Sequence, residues 1–290
     1  AVKRRKKLQN HNKYESLIPG LPDDIAQICL SHVQPSIVYS VCHSWRRFVY
    51  SPSFPPFLSI YSLLKPSQSE ENSVELANFD PISAKWKLLP PPPLNPPLRL
   101  LLRHPSFISR HLPIQSVSVS GNFVLLAATT DPLSPALSMP LVFNPLTSKW
   151  ANGPPLATPR RWCAAGASRG VVYVASGIGS SYNPEVARSV EKWDLKNSST
   201  DNKWEKMNGL KDGKFSREAI EAVGWRGKLC MVNVKGDAAK EGIIYDVGND
   251  TWHEMPEGML MGWRGPAAAM DEEIIYTVDE SKGALRKYDP

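Results

Sequence analysis

The sequence predicts a mainly β chain: a β-propeller of four-stranded blades, preceded by a small α-helical module. Three observations carry this. First, an aromatic residue followed by Asp or Asn, with a Trp a few residues on, recurs: Phe79-Asp80 with Trp86, Phe143-Asn144 with Trp150, Trp193-Asp194 with Trp204, and Tyr245-Asp246 with Trp252. The interval is about 50 residues, the length of one propeller blade. Second, short apolar runs bounded by turn signals keep step with the Trp residues, as buried strands do. Third, residues 17–54 follow helical spacing instead.

Residues 1–16 form a basic tail. Lys3, Arg4, Arg5, Lys6, Lys7 and Lys13 face only Glu15 there, so the tail carries nearly all of the net charge of +6. The folded body is close to neutral, which argues against a broad basic face for nucleic acid. The run Lys3–Lys7 fits a nuclear address and a plain solvated tail equally well.

The helical module follows. Pro22 suits a first helical turn, and Asp23 and Asp24 suit its positive end. Ile25, Ile28, Cys29 and Val33 then share one helical face. Pro35 opens a second helical stretch with Ile37, Val38, Val41, Cys42, Trp45, Phe48 and Val49 in helical register, closed by Pro52, Pro55 and Pro56. About 40 residues are too few to be very stable alone, so a partner or a neighbouring domain completes such a module. A helical cap on the propeller is the simpler alternative. The segment nonetheless resembles the F-box family in Leu21-Pro22-Asp23-Asp24-Ile25, Cys29-Leu30, Val33, Val41-Cys42-His43-Ser44-Trp45-Arg46 and Ser51-Pro52-Ser53-Phe54. That resemblance implies that Leu21, Pro22, Ile25, Leu30, Val41, Cys42 and Trp45 form or support a surface for the Skp adaptor.

The blades fill residues 57–290. Arg161, Arg217 and Arg264 each open a small-residue run: Ala164-Ala165-Gly166, Ala219 to Val223, and Ala267 to Ala269. Turns follow at Ser168-Arg169-Gly170, Trp225-Arg226-Gly227 and Asp271-Glu272-Glu273, then the strands Val171–Val174, Leu229–Val232 and Ile274–Tyr276. Small residues suit a first strand crowded against the propeller axis. The third strand carries the aromatic-Asp pair and the fourth the Trp, whose expected place is the seam between neighbouring blades. The first blade lacks a small-residue strand: Phe57–Leu64, Val74–Phe79 and Lys85–Leu89 supply only its second to fourth. Tyr288-Asp289 starts a fifth repeat with no Trp after it. The expectation is therefore a fragment, with one or more blades beyond Pro290 and a ring closed by a C-terminal strand lent to the first blade.

These repeats resemble kelch repeats, including proline after the Trp at Pro90–Pro93, Pro154-Pro155 and Pro256. The family's Gly-Gly doublet survives only as Ser176-Gly177. The chain as a whole resembles plant F-box/kelch-repeat proteins of the Skp-interacting-partner type. That resemblance implies a non-catalytic substrate receptor of an SCF ubiquitin ligase, linked through the adaptor to a cullin and holding a target protein on the propeller. The alternatives are a kelch scaffold unconnected with ubiquitin and a metal-dependent propeller enzyme.

Enzyme signals are weak. Gly166-Ala167-Ser168-Arg169-Gly170 matches a nucleophile elbow, but a strand follows where a helix is required. The histidines His11, His32, His43, His104, His111 and His253 form no zinc motif, with His104 and His111 the only near pair. No cofactor or metal is expected. Cys29, Cys42, Cys163 and Cys230 lack C-x-x-C spacing and read as reduced core residues, in keeping with a cytoplasmic or nuclear chain. Asn197-Ser198-Ser199 and Asn249-Asp250-Thr251 match glycosylation acceptors by chance. No apolar run approaches the ~18 residues of a membrane span.

Target binding is expected on the loops of one propeller face: Lys65–Ser73, Asp131–Pro140, Ile178–Arg188 and Lys235–Gly242, with the connections Leu94–His111 and Arg160-Arg161. Arg160, Arg188 and Lys240 are the polar candidates and Trp263 the aromatic anchor. Against this, repeat-position arginines such as Arg161 often serve only to bond neighbouring strands.

Overall fold

The computed structural model describes residues 16–55, 60–64, 73–80, 84–99, 114–131, 136–196, 202–217, 219–235, 238–264, 267–270, 273–279 and 281–288. The chain divides into two compact units, Ala1–Tyr61 with Asn78–Lys87 and Ser62–Ala77 with Leu88–Pro290.

Among its described residues the first unit carries three helices: α1 (Asp23–Ser31), α2 (Pro35–Val41) and α3 (His43–Val49). Asp23 and Asp24 occupy the first turn of α1, and Asp23 Oδ1 accepts the Leu17 N–H at 2.9 Å. The single stretch expected from Pro35 is broken at Cys42, whose extended backbone (φ −154°, ψ 172°) ends α2 and starts α3. Ile37, Val38 and Val41 are β-branched and support helix weakly, so a break costs little here. Arg46 of α3 then satisfies an open end of α2: its Nε–H donates to the Tyr39 carbonyl at 3.2 Å, and its guanidinium lies 4.6 Å above the Tyr39 ring. Ala26, Leu30, Val38, Phe48, Val49 and Phe54 are buried, with Phe48 and Phe54 packed edge to face at 5.1 Å.

Among the described residues five antiparallel sheets follow, each a blade meander. Blade 1 holds β1 (Ile60–Leu64), β2 (Glu75–Asp80) and β3 (Lys85–Leu88). Blade 2 holds β4 (Gln115–Val119), β5 (Asn122–Leu126), β6 (Leu141–Asn144) and β7 (Lys149–Asn152). Blade 3 holds β8 (Ala164–Ser168), β9 (Val171–Ala175), β10 (Val190–Asp194) and β11 (Glu205–Met207), with helix α4 (Pro184–Arg188) between β9 and β10. Blade 4 holds β12 (Ala219–Trp225), β13 (Lys228–Lys235), β14 (Ala238–Asp246) and β15 (Thr251–Glu254). Helix α5 (Glu257–Gly262) leads to blade 5: β16 (Ala267–Met270), β17 (Ile274–Asp279) and β18 (Ala284–Tyr288). Among the described residues blade 1 has three strands, which match the second to fourth positions of the others.

Local chemistry repeats with the blades. The first and second strands are joined by two-residue turns with both residues at positive φ: Ser120-Gly121 (48°, 71°), Arg169-Gly170 (52°, 86°) and Arg226-Gly227 (47°, 73°). Such turns match the natural strand twist. Gly166-Ala167-Ser168-Arg169-Gly170 is therefore strand and hairpin turn, with Ser168 2% exposed. The Asp or Asn ending the third strand caps the next hairpin. Asn144 Oδ1 accepts from the Leu146 and Thr147 amides, Asp194 Oδ1 from Lys196, and Asp246 Oδ1 from Gly248 and Asn249, at 2.8–3.1 Å. At the place of the Gly-Gly doublet the backbone still turns left-handed, on Ala127 (φ 55°) and Ser176 (φ 62°).

Blades 2 to 5 lie side by side through their first strands, in the order β4, β8, β12, β16. The approach is close: a Cβ on Gly224 would sit 1.7 Å from the Ala167 carbonyl oxygen. This is why the first strands are built from small residues. Alternate residues of a central strand serve opposite seams. Val172 and Val174 of β9 pack toward blade 2 with Val117, Val124 and Leu126, whereas Tyr173 and Ala175 pack toward blade 4 with Leu229, Met231 and Tyr245. Each Trp sits half-buried at its seam and bonds the preceding blade. The indole N–H of Trp150 donates to Pro90 O (2.7 Å), that of Trp204 to Pro154 O (2.8 Å) and that of Trp252 to Asn208 O (3.0 Å). Each also stacks on its own blade's aromatic, with centroids at 5.0 Å (Phe143–Trp150), 5.6 Å (Trp193–Trp204) and 4.9 Å (Tyr245–Trp252). Trp86 pairs with Phe79 at 5.3 Å and is 58% exposed.

Two faces result. The hairpin turns between first and second strands line up on one, where the Arg226 Nε–H donates to Glu273 Oε2 at 3.0 Å. The loops between second and third strands lie on the other, bonded to the inter-blade connectors: Leu210 N–H to Arg188 O (2.7 Å), Arg161 N–H to Ile178 O (2.9 Å) and Leu156 N–H to Ser138 O (2.8 Å).

Candidate functional site

On the helical unit, apolar side chains point both ways. Ala26 and Leu30 of α1 and Val38 of α2 form the core, while Ile25 (43%), Ile28 (58%), Ile37 (51%) and Val41 (54%) are exposed. A helix apolar on both sides has more apolar surface than its own core uses. Of the residues expected at an adaptor surface, Pro22, Ile25, Val41 and Cys42 are exposed and Leu21 and Trp45 are half-buried. Leu30 is buried and supports α1 from beneath. Trp45 is structural as well: its indole N–H donates to the Leu17 carbonyl at 2.5 Å and anchors the segment leading into α1. Sequence reading did not single out Ile28 and Ile37 for this surface, although their spacing from Ile25 and Val41 places each pair on one helical face.

The cysteine expectation is corrected in part. Cys163 and Cys230 are buried, but Cys29 and Cys42 are exposed, and none of the four is in a disulfide. Cys29 lies on the outward side of α1, and Cys42 at the break between α2 and α3. Burial pushes the Cys230 thiol up to about 12, which leaves it protonated and unreactive at neutral pH.

On the loop face, the expected residues separate. Arg160 is 1% exposed and is not a surface group: its guanidinium pairs with buried Glu191, bonds Ser189 Oγ, and donates to the carbonyls of Ser176 and Thr158, each at 3.3 Å. Burial draws both Arg160 and its half-exposed neighbour Arg161 below the usual arginine value. The side chain of Arg160 thus bonds neighbouring strands, and Arg161 pairs with Ile178 through its backbone. Trp263 is also 1% exposed and packs in the seam between blades 4 and 5 with Val223, Met255 and Ile275, its N–H directed to Glu221 Oε2 at 3.4 Å. It is a core residue and no surface anchor. Lys240 lies in β14, and the expected loop Lys235–Gly242 is instead the continuation of the β13–β14 hairpin, paired as far as Lys235 with Ala238. Arg188 is exposed at the end of α4, where its Nε–H donates to Leu210 O at 3.2 Å. Of the loop Lys65–Ser73 only Ser73 is described, and His104 and His111 lie outside the described residues.

Among the described residues no group of three or more His, Cys, Asp or Glu is placed to hold a metal ion. No described helix is long and apolar enough to cross a membrane.

Comparison with known proteins agrees with this architecture. No protein-family model matches the chain. The chain is 54% identical over 295 residues to the F-box/kelch-repeat protein SKIP25 of Arabidopsis thaliana, covering 99% of this chain and 75% of that protein. It is 24% identical to the F-box protein AFR of the same plant, over 92% of this chain and 70% of that one. The solved structure of YjhT superposes with a TM-score of 0.51 over 80% of this chain and 81% of that one, at 10% identity, a likeness of fold alone. With Trp-linked kelch blades behind an F-box-like helical segment, and at this level of identity, the chain belongs to the F-box/kelch-repeat proteins.

Proposed function

We propose that the chain is the substrate-recognition subunit of an SCF-type ubiquitin ligase. In this reading the helical segment 17–54 docks a Skp-type adaptor, and through it a cullin, while the propeller of residues 57–290 holds the protein to be ubiquitylated. The chain contributes position and no catalytic group, and works in the cytoplasm or nucleus. The observation that carries the reading is the outward apolar set Ile25, Ile28, Ile37 and Val41. Exposed apolar surface on two short helices is costly unless a partner covers it.

The test is co-purification of the full chain with a Skp adaptor, comparing wild type with Ile25→Glu/Val41→Glu. Both positions face solvent, so the variant keeps its core. Loss of the adaptor with an unchanged unfolding transition supports the reading. Undiminished co-purification of the variant, or no adaptor bound by wild type, removes it.

A further inference from the structure

Two Asn-Gly pairs occur in the chain, Asn152-Gly153 and Asn208-Gly209. Such a pair is chemically labile: the backbone nitrogen after the asparagine can attack the side-chain amide carbon, and glycine has no Cβ to obstruct the approach. The fold treats the two pairs in opposite ways. Asn152 pairs with Leu141 in the blade 2 ladder, and buried Gly153 donates its N–H to the Pro140 carbonyl at 2.9 Å. A nitrogen that must give up its proton to attack is there held by an acceptor, and the ladder fixes the backbone before it. Asn208 and Gly209 lie just beyond the end of β11, and both are exposed. Among the described residues the Gly209 N–H has no acceptor.

Packing requires the glycine at 209. A Cβ there would lie 2.8 Å from the Arg188 carbonyl oxygen, the same oxygen that accepts the Leu210 N–H at 2.7 Å. Asn208 in turn is a clasp between blades 3 and 4. Its N–H donates to Asp250 Oδ1 at 3.0 Å and its Nδ2–H to the Asp250 carbonyl at 2.8 Å, while its own carbonyl accepts the Trp252 indole N–H at 3.0 Å. Asp250 stands in the turn between β14 and β15, and Trp252 in β15, so all three bonds cross the seam.

We propose that Asn208 is a deamidation site whose conversion weakens the seam between blades 3 and 4. The Gly209 nitrogen bonds to Asn208 Cγ, the Cγ–Nδ2 bond breaks, and the amide nitrogen leaves as ammonia with the proton from Gly209. Water then opens the succinimide ring at either carbonyl, giving aspartate or isoaspartate at position 208. No electrons are gained or lost, and water is the one co-reactant. Either product removes the Nδ2–H that the Asp250 carbonyl accepts and adds a negative charge beside the Asp250 carboxylate. Isoaspartate also routes the main chain through Cβ and Cγ, so the carbonyl bonded by Trp252 becomes part of a side-chain carboxylate.

The test incubates the purified full chain at pH 8 and 37 °C, folded and in urea, and follows both sites by peptide mass spectrometry, with isoaspartate detected by an isoaspartyl methyltransferase. In the folded chain Asn208 is expected to convert roughly ten-fold or more faster than Asn152, because local structure protects only the second. In urea the two are expected to convert at similar rates. Asn208→Asp, the product itself, is expected to lower Tm by roughly 2–6 °C through the lost bond and the added charge. Asn152→Asp, an exposed change of the same charge, is expected to stay within about 1 °C of wild type. Equal conversion of the two sites in the folded chain, faster conversion at Asn152, the same ratio in urea as in the folded chain, or a Tm for Asn208→Asp equal to that of wild type would overturn the proposal.

Discussion

Replacing Glu191 by Ala should be among the most damaging single changes in the propeller. The Arg160 and Glu191 side chains are 1% and 3% exposed. Glu191 sits in β10, and Arg160 in the connector entering blade 3, so their pair ties the entry of the blade to its third strand. Removing Glu191 leaves a buried guanidinium with only neutral partners, the carbonyls of Ser176 and Thr158 and the Ser189 hydroxyl. Arginine does not escape by losing its proton at ordinary pH. Breaking a buried ion pair in this way costs about 3–5 kcal/mol. For a chain of this size that is a fall of roughly 6–20 °C in Tm. Arg160→Met should behave differently, because the orphaned Glu191 can take up a proton. A carboxyl raised in this way is stabilised below its unfolded pKa and loses that support as pH climbs through its folded value, so the Arg160→Met variant should gain stability from pH 8 to pH 5. The double variant Arg160→Met/Glu191→Leu should recover most of the loss. Urea unfolding followed by tryptophan fluorescence measures all three. A cost under about 1 kcal/mol for Glu191→Ala, or a double variant no better than Glu191→Ala, would refute the assignment of this pair as a buried, mutually dependent unit.

Further changes test the repeating parts. Trp204→Phe keeps the ring stack on Trp193 but removes the N–H to Pro154 O, and should cost about 0.5–1.5 kcal/mol in the same unfolding assay. Ala127→Gly relieves a left-handed alanine and should raise stability by about 0.5–1 kcal/mol, read as a higher Tm. Asp250 accepts from the Tyr245 hydroxyl and the Asn208 amide, which hold its carboxyl below the ordinary aspartate range. Its contribution is complete above the unfolded value of about 3.9 and is lost as pH falls through the folded one. Acid titration should therefore show a shallower loss of stability below pH 4 for Asp250→Asn than for wild type.

Much of this architecture is written locally, and for that reason it is legible in the chain. A hairpin needs its own turn residues, so Arg169-Gly170 and Arg226-Gly227 announce themselves. A third strand needs an acceptor to cap the next turn, so Asn144, Asp194 and Asp246 recur. A blade seam needs a large aromatic with one donor, so Trp150, Trp204 and Trp252 recur at the blade period. The small residues of β8, β12 and β16 likewise follow from one constraint, the crowding of first strands that Gly224 shows against Ala167. Side-chain exposure is another matter, because it depends on what the remainder of the fold places opposite each residue. Arg160 and Arg161 are adjacent in sequence and alike in chemistry, but the fold buries the first against Ser176, Ser189 and Glu191, the last 31 residues away. Trp263 reads as a surface anchor until Val223 and Ile275 close over it from two blades. Lys235–Gly242 reads as a loop until β13 and β14 pair through it. Helical periodicity identified the apolar positions of α1 and α2, but only packing divided them into the buried Ala26, Leu30 and Val38 and the exposed Ile25, Ile28, Ile37 and Val41. Turn chemistry and period act over a few residues and are carried by the sequence itself. Burial is a long-range property, decided by which strands and helices the tertiary structure brings together.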